Sequence, residues 1–120
     1  MIIAITAKGG TLDTPVDPRF GRAKSLLLHD TETDKCRRVD NTQNMTAAQG
    51  AGIQTAQNVA DAGAEVVITG HCGPKAFRTL QAAGIAVVVG ASGTAADALT
   101  DYRNGTLVPT QAPDVESHSG

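Results

Sequence analysis

The 120-residue sequence predicts a three-layer α/β fold, with a mixed five-stranded sheet and helices on both faces. Three observations lead there. The apolar runs Val66-Val67-Ile68 and Ile85-Ala86-Val87-Val88-Val89 are linked by an amphipathic segment, and strand–helix–strand units pair in parallel through a right-handed crossover. Residues 25–30 and 35–40 are separated only by the turn-like Thr31-Glu32-Thr33-Asp34, too short for a crossover, so they form an antiparallel hairpin. Residues 2–6, apolar up to Thr6, read as a central strand buried on both faces.

The elements follow in order. After the first strand comes a long irregular stretch, residues 7–23, with Gly9-Gly10, Pro15, Pro18 and Gly21. A loop of that length inside a compact domain is usually functional. The hairpin follows, then a polar stretch over 41–49. From Gly50 or Ala51 the pattern is helical to about Ala62. Ile53, Ala56, Val59 and Ala60 are placed on the buried stripe; Ala51, Gln54, Thr55, Asn58 and Ala62 are placed outward. Gly63 stands where a C-terminal cap belongs. A strand at 65–69 leads into Gly70-His71-Cys72-Gly73 and a helix over 74–83, which opens on Pro74 and stops at Gly84. The strand 85–89 precedes a last helix that starts at the capping-box pair Thr94 and Asp97, runs to about Arg103 and stops at Gly105. Residues 1–108 form one domain. Residues 109–120, without apolar period, read as a flexible tail.

Composition narrows the function. A domain of this size buries roughly two-thirds of its unfolded surface, and with aromatics at 2% the core must come from Val, Ile, Leu and Ala. That scarcity argues against base-stacking platforms for nucleic acid. No run is long enough to cross a bilayer, and the N-terminus lacks the basic region of a signal peptide. Two cysteines, Cys36 and Cys72, make no disulfide framework, so a reducing cytoplasm is the expected location.

The net charge of −2 is unevenly spread. Residues 8–24 carry Lys8, Arg19, Arg22 and Lys24 against Asp13 and Asp17, a local +2. Residues 70–78 carry Lys75 and Arg78 without an acid, again +2, which leaves the rest of the chain at −6. Basic charge gathered on two glycine-containing loops fits loops that face an anion. Because the first and fourth strands are expected to be neighbours, both loops open at the carboxyl edge of the sheet, where open α/β sheets bind ligands.

Catalytic arrangements are sparse. His29 and His71 are the only histidines outside the tail, and no Ser-His-Asp spacing occurs. Asp13 and Asp17 could act as paired carboxylates, but Asp17-Pro18 reads first as a turn former. The first strand has no acid with which to hold Mg²⁺, which argues against a metal-dependent nuclease. Without a C-x-x-C pair a closed zinc site is disfavoured. Cys72, at a helix N-terminus beside His71, is either a reactive or ligating thiolate or a small buried turn residue. His71 and Cys72 are the candidate metal contacts. Cys36 reads as structural and His29 as a solvent-facing strand residue. The Gly73-Pro74 helix start favours negative charge, Arg19 and Arg22 suit multi-oxygen or multi-sulfur anions, and Asn41, Gln43, Asn44 and Met45 could form a third wall.

Three motifs then occur together and in order: Asp17-Pro18-Arg19-Phe20-Gly21-Arg22, Gly50-Ala51-Gly52-Ile53-Gln54 and Gly70-His71-Cys72-Gly73-Pro74-Lys75-Ala76, with Gly84-Ile85-Ala86-Val87 following. In them the chain resembles the dinitrogenase iron–molybdenum cofactor biosynthesis family (NifX and NifB C-terminal-like proteins) over residues 1 to about 108, and within it the orange-protein type. The resemblance implies a ribonuclease H-like fold and a non-catalytic carrier or chaperone of an anionic metal–sulfur cluster, with protein partners that supply or receive it. Some members place a histidine just before the Gly-Ala-Gly; Gln49 stands there in this chain, which favours a molybdenum or molybdenum–copper sulfide over iron–molybdenum cofactor. The implied cofactor-binding residues are Arg19, Gly21, Arg22, Lys24, Met45, His71, Cys72, Gly73 and Lys75, with Lys8 a weaker contact. Two other readings stay open: a phosphate- or nucleotide-binding enzyme that uses the helix N-terminus at Gly73, and an interaction subunit of a multiprotein complex.

Overall fold

The computed structural model describes residues 1–42 and 50–113. Five strands, β1 (Ile2–Ala7), β2 (Ser25–Asp30), β3 (Cys36–Asp40), β4 (Val66–Ile68) and β5 (Ala86–Val88), form one sheet in the order β3-β2-β1-β4-β5. The hairpin strands pair antiparallel, while β1 with β4 and β4 with β5 pair in parallel. Among the described residues three helices, α1 (Ala51–Asp61), α2 (Pro74–Ala82) and α3 (Ala95–Arg103), complete the layers, and a 3-10 turn at Phe20–Arg22 interrupts the first long loop. The expected element order is therefore present, with β4 and β5 each one residue shorter at both ends than the expected strands 65–69 and 85–89.

Alternation along the central strands divides the core in two. Ala4, Leu26, Leu28, Val67 and Val87 face α1 and α2, in one cluster with Ala56, Val59, Phe77 and Leu80. Ile3, Ile5, Leu27, Ile68 and Val88 face α3, with Ala95, Ala98 and Leu99. Both faces of β1 are thus covered, which is why its sequence is apolar rather than alternating.

Glycine ends the first two helices as the sequence predicts. Gly63 (φ 79°) and Gly84 (φ 77°) take the left-handed conformation that a Cβ would oppose. The capping box of α3 is complete: Asp97 N–H donates to Thr94 Oγ1 and Thr94 N–H to Asp97 Oδ2, both at 3.1 Å.

Three expectations need correction. In α1, Thr55 is fully buried and Ala51 is buried, whereas Ile53 and Ala60 are exposed. The helix is rotated because a polar cluster, invisible to hydrophobic periodicity, pulls Thr55 inward. His29 is buried at 3% exposure, since α3 crosses the β2 face and brings Arg103 Nη2 to 3.1 Å from His29 Nε2. Cys36, read as structural, lies exposed on edge strand β3. Of the expected tail, residues 109–113 are described, and Thr110 N–H donates to the Val87 carbonyl at 2.8 Å.

Candidate functional site

The register places one end of every strand together. Ala7 pairs with Ser25 and Ser25 with Asp40, so the carboxyl ends of β1 and β3 and the start of β2 share an edge with the carboxyl ends of β4 and β5. Beneath this edge Thr6 donates to the Asp17 carbonyl, and the Thr6 and Thr69 hydroxyls are hydrogen-bonded, both at 2.8 Å. These buried bonds moor the first loop to the ends of β1 and β4.

The two glycine-containing loops are joined directly. His71 N–H donates to the Pro18 carbonyl at 2.7 Å and Phe20 N–H to the His71 carbonyl at 3.2 Å, a short parallel bridge between Arg19 and His71. Gly70 makes this approach possible, because a Cβ there would lie 2.7 Å from Pro18 Cα and 2.9 Å from its carbonyl oxygen. The space beside Gly70 is therefore taken by Pro18. Gly73 is the open one, where a Cβ would meet nothing within 4 Å. Asp17 is buried and its Oδ1 accepts the Arg19 N–H at 3.1 Å, the turn-forming role.

A second junction sets the arginine-bearing turn on α1. A Cβ on Gly21 would lie 2.7 Å from both Cα and N of Gly52. The fully buried Asn41 donates through Nδ2 to the Ala23 carbonyl at 2.8 Å, and Thr55 Oγ1 donates to the Gly21 carbonyl at 3.3 Å. Asn41 and Thr55 are also hydrogen-bonded to each other. Asn41 is thus a buried clamp instead of the expected third wall. Hydrophobic periodicity could not find it or Thr55, because it scores both as surface residues. Gln43, Asn44, Met45 and Gln49 lie outside the described residues.

The electrostatics of this edge follow from the helix starts. α1 and α2 both begin here, and a Cβ on Gly52 would be 3.1 Å from Ala76 Cβ, so their first turns are neighbours. Gly50 (φ 77°) and Gly73 occupy their N-cap positions; neither helix has a side-chain cap or an acid in its first turn. The positive dipole ends of both helices therefore favour negative charge at this edge. By contrast, α3 is closed by its own Thr94 and Asp97.

Around this pair of helix starts stand the basic residues. Arg19, His71 and Lys75 are exposed and Arg22 is half-buried at the end of the 3-10 turn. Lys8 and Lys24 are exposed farther along the edge. The backbone and hydroxyl of Thr42 hold the Asp40 carboxyl below the usual carboxylate range, with Arg38 and Lys24 adding to the effect. Lys24 and Arg38 therefore act partly on Asp40. Arg38, which the sequence reading did not single out, also donates from Nε to Ser25 Oγ at 2.7 Å and crosses Gly10.

Cys72 is buried at 1% exposure, in the same core cluster as Ala76, Phe77 and Leu80. Of the two sequence-predicted metal contacts, only the His71 side chain is exposed. Among the described residues no group of three or more His, Cys, Asp or Glu is arranged to hold a metal ion. The two thiols are expected to differ sharply in reactivity. Iodoacetamide should modify Cys36 alone in the folded protein, and a second thiol per chain only in denaturant. Burial pushes the Cys36 thiol up, so this labelling should be slow at neutral pH and accelerate on alkaline titration. Two equally fast thiols in the native protein would contradict the placement of Cys72.

The description "Dinitrogenase iron-molybdenum cofactor" matches residues 1–105. The chain belongs to this family. Among solved structures, the apo form of the orange protein from Desulfovibrio gigas is 43% identical to this family member, covering 95% of this chain and 96% of that chain with a TM-score of 0.92. A NifB-type protein from Thermotoga is 32% identical, covers 95% of this chain and 98% of that chain, and has a TM-score of 0.81. A dinitrogenase-type protein from Methanocaldococcus jannaschii, 13% identical over 94% of this chain and 97% of that one, shares the fold at a TM-score of 0.69. No curated protein sequence matches the chain. Among the described residues no helix is long and apolar enough to cross a membrane.

Proposed function

We propose that this family member is a non-catalytic carrier of an anionic metal–sulfur cluster, of the molybdenum-sulfide and specifically molybdenum–copper type, taken up at the carboxyl edge of the sheet. The observation that carries the reading is the pair of adjacent helix starts, α1 at Gly50 and α2 at Gly73, both without a side-chain cap or a first-turn acid, beside Arg19 and Arg22. Such a site offers amide hydrogens and guanidinium groups to an anion. Because the described residues contain no ligand set for a bare metal ion, a cargo that brings its own sulfide shell suits the site better than one that needs thiolates. Family membership and the 43% identity to the orange protein support a metal–sulfur cargo in general.

Arg19, Arg22 and Lys75 supply charge, the amides beyond Gly73 and Gly50 supply hydrogen bonds, and Gly21 lets the arginine turn sit against α1. The exposed His71 stands at the same edge, and Lys8 and Lys24 set a longer-range field. Proteins that supply or receive the cluster complete the role, and a cytoplasmic location goes with it.

The decisive experiment is reconstitution. Purified protein incubated with thiomolybdate and copper, then desalted, should retain visible charge-transfer absorption together with molybdenum and copper by elemental analysis. A colourless, metal-free product would sink the proposal. If that product instead bound inorganic phosphate at the Gly73 helix start, the phosphate-binding reading would replace it.

A further inference from the structure

The two edges of the sheet are protected by different means. An open edge presents unpaired backbone groups that template pairing with another chain, and charge or a covering segment normally blocks it. Edge strand β3 carries exposed Arg37, Arg38 and Asp40, preceded by Lys35. At the opposite edge, the stretch from Ile85 to Gly93 that contains β5 has no charged residue at all. Ala86 N–H bonds the Glu65 carbonyl and Thr69 N–H the Val88 carbonyl, so Ala86 and Val88 face β4 and the Val87 peptide groups point outward. Nothing in the strand's own side chains discourages a second strand there.

What covers this edge is the chain beyond α3. Leu107 N–H bonds the Asp101 carbonyl at 3.0 Å, and the Leu107 side chain packs on the α3-side core. The backbone then crosses β5, where the Thr110 N–H reaches the Val87 carbonyl at 2.8 Å. It adds no sixth strand, and Val108 beside it is 64% exposed. A cavity of about 290 Å³ remains under it, between Phe77, Ile85, Val87 and Pro109.

We propose that residues 107–111 are a displaceable edge guard, and that the β5 edge beneath them docks the β5 of a second copy of this chain when the guard lifts. A second copy fits because β5 is uncharged: two such strands can pair antiparallel about a two-fold axis without opposing like charges. The same operation at β3 would bring arginines together. Among the described residues, one backbone hydrogen bond and the partly buried Leu107 hold the guard, a weak closure, so it competes with the second strand instead of abolishing the edge.

The test uses full-length protein. Thr110→Pro removes the N–H that bonds Val87, Thr110→Ala keeps it, and Leu107→Ser loosens the anchor without touching that bond. Mass is read by light scattering over a concentration series, with hydrogen exchange at Val87 and circular dichroism to monitor fold. Wild type and Thr110→Ala should remain monomeric. Thr110→Pro and Leu107→Ser should dimerise at concentrations at least tenfold lower than wild type, with the Val87 amide becoming protected as the dimer forms. The proposal is overturned if both guard variants keep the wild-type mass across the series. It is equally overturned if they associate while the Val87 amide stays unprotected, or if the wild type is already dimeric through another surface.

Discussion

Gly70→Ala is expected to destabilise the fold by about 3 kcal/mol, a fall in Tm on the order of 10 °C, while Gly73→Ala three residues later leaves thermal unfolding nearly unchanged. At Gly70 the new methyl would sit 2.7 Å from Pro18 Cα and 2.9 Å from the Pro18 oxygen, both backbone atoms that no rotamer change can move. Relief requires opening the seam, and the seam is the 2.7 Å bond from His71 N–H to the Pro18 carbonyl and the 3.2 Å bond from Phe20 N–H to the His71 carbonyl. Overpacking typically costs 1–3 kcal/mol and each lost bond roughly another 1; partial relaxation keeps the sum near the upper end of the first range. At Gly73 the backbone is extended (φ −73°, ψ 166°), a conformation alanine adopts, and the space is open. Chemical denaturation of the two variants checks this, and a loss below about 1 kcal/mol for Gly70→Ala would show that the loops separate cheaply. Gly73→Ala should nonetheless weaken cluster retention, because its methyl would fill space that is open at the α2 start.

The combined Arg19→Ala and Arg22→Ala variant should retain the fold and lose at least tenfold in affinity for the reconstituted cluster, with the deficit shrinking as salt rises. Charge-assisted hydrogen bonds are stronger than neutral ones, and the two guanidinium groups stand on a turn whose position is fixed by buried contacts. Exposed charges are screened over about 10 Å at 0.1 M salt, so salt weakens wild-type binding more than that of the variant. Cys72→Ser separates this mode from thiolate ligation. If charge and amides hold the cluster, the serine variant binds it at every ionic strength, measured well below its own unfolding temperature. Loss of the cluster in Cys72→Ser alone, with the arginine variant unaffected, would assign the cargo to the thiol.

The contrast between these glycines marks the limit of a linear reading. Gly70 and Gly73 flank the same His-Cys pair and look equivalent in sequence. One is filled by a backbone from 52 residues earlier in the chain and the other is open, a distinction that only packing creates. Thr55 and Asn41 were lost for a related reason. A hydrophobic period counts them as surface, whereas their burial depends on partners, the Gly21 and Ala23 carbonyls, that are distant in the chain. His29 is the third case, since a crossing helix rather than its own strand covers it.

The element order, the antiparallel hairpin, the parallel strand–helix–strand pairing, the helix caps and the meeting of two basic glycine loops at one edge followed from the sequence by itself, because each rests on local periodicity, connection length or backbone freedom; the antiparallel pairing of β1 with β2 came from the tertiary structure. The tertiary structure alone decided which glycine is a seam and which an opening. It also buried Cys72 and set two uncapped helix starts side by side, because van der Waals space and the sharing of hydrogen bonds are properties of segments brought together in three dimensions.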